Sequence, residues 1–148
     1  MFLLEQNRPS TQPFLKIISD LNLHRLISDC YDCRMNLSIP IMICDENEDI
    51  RLLLKEMLTR HGYFHLVEAH SSEEVLQLMT PEQFVLIHYN LINGKIKNML
   101  SHRRNFLIIS QSDAVEIINL AAIFGVKHII SFPYTSKGLV EKINELLF

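Results

Sequence analysis

The sequence predicts an α/β fold: a five-stranded parallel sheet with helices on both faces, preceded by an N-terminal helical extension. Two observations predict it. From residue 40 onward, short apolar runs alternate with longer stretches of helical periodicity. The short runs are apolar throughout rather than at every second residue, which marks strands buried on both sides, and such strands belong to parallel sheets covered by crossover helices.

The extension, residues 1–39, comes first. "NRPSTQP" (7–13) is turn-rich, with prolines at 9 and 13. Behind it, Phe14, Ile17, Ile18, Leu21, Leu26 and Ile27 recur at mostly helical spacing, so one amphipathic helix is expected over about 13–30. The main domain, 40–148, opens with the strand "IMIC" (41–44). "DENEDIRLLLKEMLTRHG" follows, with Ile50, Leu53, Leu54, Met57 and Leu58 on one helical face and Gly62 as its stop. "HLVEA" (65–69) is a strand, and "SSEEVLQLM" (71–79) a helix with serine ahead of glutamates in its first turn. "FVLIHY" (84–89) is the third strand and a short helix is expected over 94–102. "NFLIIS" (105–110) is a strand, "DAVEIINLAAIFG" (113–125) a helix ended by glycine, "KHIIS" (127–131) a strand and "SKGLVEKINELLF" (136–148) the last helix.

Composition narrows the function classes. A chain of 148 residues with 48% hydrophobic and 21% charged residues is an ordinary globular domain with an appendage. A net charge of −3 supplies no electrostatic footprint for nucleic acid or for anionic membranes, and no apolar run approaches a span of about 20 residues. "MFLLEQNRPS" lacks the basic start and apolar middle of a signal peptide, and three cysteines make no disulfide framework, so a cytoplasmic protein is expected. Cys30 and Cys33 trail a helix instead of opening one after a strand, and read as small apolar residues closing it.

In doubly wound sheets, ligands and chemistry collect beyond the carboxyl ends of the strands. Those ends carry Asp45 and Glu46 after the first strand, His88 after the third, Ser110 after the fourth and Phe132-Pro133 after the fifth. "IMICDENEDIRLLLKEMLTRHGYFHLVEA" and "FGVKHIISFPY", with the spacing from Ser110 to Gly125, resemble the receiver domain of two-component response regulators over residues 40–148. The resemblance implies a CheY-like, flavodoxin-type sheet of order 2-1-3-4-5. It also implies an acidic pair that holds Mg²⁺, a phosphoacceptor aspartate, a Ser/Thr, a lysine and an aromatic switch. On those positions this sequence has Asp45 and Glu46, then His88, Ser110, Phe132 and Ile129. An imidazole cannot form an acyl phosphate, and Phe132 supplies no charge to a phosphoryl group. The expectation is a degenerate pocket in which His88 replaces the nucleophile and pairs with Asp45 or Glu46.

The helix at 113–125 departs from that family in another way. Val115, Ile117, Ile118, Leu120 and Ile123 leave only Glu116 and Asn119 polar in its interior. A helix apolar nearly all round calls for cover nearly all round, either from Phe14, Ile17, Ile18 and Leu21 of the extension or from a second subunit. The sequence therefore predicts a pseudo-receiver: a signalling module without catalysis or cofactor, independent of phosphorylation. It would act on protein partners and as a homodimer through the face built from its fourth helix, fifth strand and fifth helix. The alternatives are a metal- or cofactor-dependent enzyme on a flavodoxin-like sheet, with Asp45, Glu46 and His88 as ligands, and a receiver with Asp45 as an unorthodox acceptor. The acidic "CDENED" in place of a glycine-rich phosphate loop weighs against such an enzyme.

Overall fold

The computed structural model of the protein describes residues 39–111 and 113–147. The expected helix at 13–30, with Phe14, Ile17, Ile18 and Leu21, and the pair Cys30 and Cys33 lie outside the described residues.

The elements are β1 (Ile41–Cys44), α1 (Glu48–Arg60), β2 (Leu66–Ala69), α2 (Ser72–Leu78), β3 (Phe84–His88) and α3 (Gly94–Leu100). Then come β4 (Phe106–Ser110), α4 (Ala114–Phe124), β5 (Ile129–Ser131) and α5 (Ser136–Leu147). All neighbouring strands pair in parallel, in the order β2-β1-β3-β4-β5. The central strands β1, β3 and β4 are buried at every residue, as their uniformly apolar sequences require.

Alternation along those strands divides the interior into two layers. Ile41, Ile43, Phe84, Leu86, Leu107 and Ile109 pack with Leu54 and Leu58 of α1 and Leu139 and Ile143 of α5. Met42, Cys44, Val85, Ile87, Phe106 and Ile108 face the other way, onto Val75 of α2 and Ile96 and Leu100 of α3.

Caps set where each helix begins. The expected first helix included Asp45 and Glu46; α1 instead starts at Glu48, because the Asn47 side chain accepts from the Asp49 and Ile50 N–H groups at 2.8 and 3.3 Å. Both acids are thereby left on the loop above the sheet. Gly62, at φ 93°, lets the chain turn back toward β2. Asp113 caps α4 through the Val115 N–H at 2.9 Å. After Gly125, at φ 92°, a 3₁₀ turn over Val126–His128 takes up residues that the sequence assigns to the last strand, so β5 begins at Ile129.

Candidate functional site

Four strand ends and one helix cap build a cleft of about 370 Å³ at the carboxyl end of the sheet. The Asp45 N–H donates to the Ala69 carbonyl at 3.1 Å, continuing the β1–β2 ladder by one residue and fixing the acid at the sheet edge. The Phe132 N–H does the same for β5, donating to Ser110 O at 2.9 Å, and the Phe132–Pro133 peptide is cis. His88 closes β3 opposite Ile109 of β4. Of the residues singled out in the sequence, Asp45, Glu46, His88 and Phe132 line this cleft.

Ser110 does not line it. Its side chain is fully buried and its hydroxyl donates to Gln111 O at 3.1 Å. Ile129 is buried in β5 beside Ile108. The cleft also takes in Asn90, Gln111 and Tyr134, which the sequence reading missed. A polar residue directly after the strand Phe106–Ser110, at the sheet end where chemistry collects, is the available signal for Gln111.

His88 has different partners from those expected. Instead of an acid, its Nδ1 accepts from the Asn90 N–H at 3.2 Å, in the 3₁₀ turn Tyr89–Leu91 that follows β3. Its Nε2 lies 3.2 Å from the Gln111 side-chain amide. The Gln111 atom at that distance is its Nε2, and which nitrogen donates depends on the imidazole tautomer. The Gln111 N–H in turn donates to Glu116 of α4 at 2.9 Å, and Glu116 holds the Tyr89 hydroxyl, which raises that phenol above its ordinary pKa. Tyr89 sits against the His88 ring at a centroid distance of 4.8 Å. A polar chain thus joins the end of β3 to the first turn of α4.

Asp45 is 6% exposed, and its Oδ1 accepts from the Asn47 N–H at 2.8 Å. Arg51 donates to the backbone carbonyls of Asp45 and Glu46, and its remaining guanidinium edge pairs with Glu68 at 2.9 Å. Burial, with Asp45's charge second, pushes the Tyr134 hydroxyl up to about 12. The same two causes, in the same order, raise the Cys44 thiol.

This donor set does not fit Mg²⁺. The ion takes near-octahedral oxygen coordination, and the third strand end here offers an imidazole whose Nδ1 is already occupied by a backbone N–H. Among the described residues no group of three or more His, Cys, Asp or Glu side chains is placed to share an ion, the trio Asp45, Glu46 and His88 included.

The second expected surface, α4, has no fully buried residue. Val115, Ile118 and Ile123 are 66, 65 and 47% exposed, while Ile117 and Leu120 are half-buried, and Leu120 packs on the core layer of Phe106 and Ile108. No helix among the described residues is long and apolar enough to cross a membrane.

No family model matches the chain, and no curated protein does. Solved structures do. A response regulator receiver domain protein from Clostridium thermocellum superposes with a TM-score of 0.61 at 22% identity, over 73% of this chain and 93% of that one. The chain has the receiver fold. The receiver domain of an HD domain-containing protein from Pseudomonas fluorescens aligns at TM-score 0.60 and 18% identity, covering 74% and 94% of the two chains. CheY6 from R. sphaeroides, solved in complex with the P1 domain of CheA3, gives 0.56 and 20%, covering 74% and 98%. In this receiver fold the acidic loop after β1 is present, and the ends of β3 and β5 carry His88 and Phe132.

Proposed function

We propose that the protein is a signalling module of the receiver type that acts by binding protein partners and does so without phosphoryl transfer or turnover. The observation that carries this reading is the composition of the cleft. The side chain closing β3 is an imidazole engaged by Asn90 and Gln111, and among the described residues no lysine or arginine lines the cleft. Phosphoryl transfer to a carboxylate requires the carboxylate, a hard metal and a cation for the developing charge.

Two features support action by contact. The chain of hydrogen bonds from His88 through Gln111 to Glu116 holds the start of α4 in one arrangement. Along α4, Val115, Ile118 and Ile123 present apolar surface to solvent, as a binding face does. The receiver fold is also one that, in CheY6, meets a partner domain. The face of α4 with β5 and α5 is the proposed contact surface, used for self-association and for a partner in a signalling pathway.

The test is sedimentation equilibrium of the full chain with and without acetyl phosphate and Mg²⁺. Association with the same dissociation constant in both conditions is expected. A phosphodonor-dependent change in assembly would overturn the reading.

A further inference from the structure

The cleft holds a charge imbalance that its own lining does not correct. Asp45 is buried, yet among the described residues its carboxylate accepts one hydrogen bond, from the Asn47 N–H, and no cationic side chain pairs with it or with Glu46. Arg51 is close in sequence but places its guanidinium on backbone carbonyls and on Glu68. Buried carboxylates are ordinarily paired, and an ionised one has room for several donors.

A second, independent feature says what kind of cation suits the space. Phe132 and Tyr134 line the same cleft, with ring centroids 5.9 Å apart and planes at 87°. Aromatic rings attract weakly hydrated organic cations such as guanidinium and alkylammonium groups. A strongly hydrated metal ion gains little from an aromatic wall, and among the described residues no group of three or more His, Cys, Asp or Glu side chains is placed to hold one. The volume of about 370 Å³ sits at the small end of ligand pockets. The raised pKa of Tyr134, partly due to Asp45, places the acid's field at that wall.

We infer that the cleft binds a guanidinium or alkylammonium group, with the charge on Asp45 and Glu46 and the carbon part against Phe132 and Tyr134. The group belongs either to a free amine or guanidine, or to an arginine or lysine side chain of a protein. The inference holds whether or not the chain is independent of phosphorylation, because it rests on the acids and the rings.

Amide NMR of the full chain, titrated at fixed ionic strength, tests it. The probes are methylguanidinium, N-methylurea as the neutral shape match, and MgCl₂. Methylguanidinium should give saturable shifts at Asp45, Glu46, Gln111 and Phe132, and N-methylurea none. Asp45→Asn and Phe132→Leu should each weaken binding by about tenfold, while Glu68→Gln, outside the cleft, leaves it unchanged. Glu46→Gln, at an exposed position, is the substitute should Asp45→Asn lose its fold by circular dichroism. An arginine-containing tripeptide that binds more tightly than methylguanidinium identifies a protein side chain as the guest; weaker binding identifies a free small cation. No saturable shift, equal binding of N-methylurea, preferential binding of Mg²⁺, or indifference to the carboxylate substitutions overturns the inference.

Discussion

Replacing Val115 and Ile118 together by serine separates the two roles an apolar helix can have. Both side chains are about two-thirds exposed at 66 and 65%. Full burial of such a side chain is worth about 1.5–3 kcal/mol, so covering the exposed part on association is worth about 1–2 kcal/mol each. The pair then contributes about 2–4 kcal/mol to a complex, or roughly 30- to 700-fold in dissociation constant. Folding stability should move by no more than about 0.5 kcal/mol, since serine resembles valine and isoleucine in helix propensity and little core contact is lost. Leu120→Ala is the opposite case: it packs on the Phe106 layer and should lose about 1–3 kcal/mol of folding stability. The assays are sedimentation equilibrium for self-association and urea unfolding for stability. A wild-type chain that stays monomeric at high concentration, or a double variant that dimerises as well as wild type, refutes the assignment of α4 as a contact face.

Further outcomes follow from single residues. Asn47→Ala removes the cap that starts α1 and should lower unfolding stability by about 1 kcal/mol in denaturant titrations. Leu54→Ala empties a fully buried site between α1 and the sheet and should lose about 2–5 kcal/mol in the same measurement. Glu68 has its pKa lowered by hydrogen bonds from Lys55 and Arg51, so its contribution is present above the unfolded carboxylate value and is lost as pH falls below it. Glu68→Gln should flatten the acid limb of stability between about pH 5 and 3, by no more than about 1 kcal/mol because the pair is solvent-screened. Tyr134 should ionise near 12 by ¹³C NMR, and Asp45→Asn should lower that value while leaving the larger effect of burial in place.

Much of the fold was legible because uniformly apolar strands and glycine-ended helices leave strong local patterns. Ile41–Cys44, Phe84–His88 and Phe106–Ser110 stand where their sequences put them, and strand order followed from the receiver resemblance carried by the acidic loop and the segment around Phe132. The differences have short-range causes. Asp45 and Glu46 suit a helix's first turn equally well, and only the Asn47 side chain decides that the helix begins after them. His88 was assigned an acidic partner on general grounds, but a tight turn brings the Asn90 N–H to its ring, a contact of two residues' separation that no side-chain pattern encodes. Ser110 shows that a matching position need not face the cleft, since its hydroxyl turns to the next carbonyl. The apolar character of α4 was plain, whereas its exposure depends on which few residues, Leu120 and Phe124 among them, reach the core.

The central claim is that this cleft cannot hold a phosphoryl group, and intact-mass spectrometry after incubation with acetyl phosphate and Mg²⁺ tests it most directly. The account predicts an unchanged mass at neutral pH, with His88 and Asp45 both unmodified. A stoichiometric phosphoryl adduct that is lost on hydroxylamine treatment, mapped to Asp45 or any other carboxylate of the cleft, would contradict it.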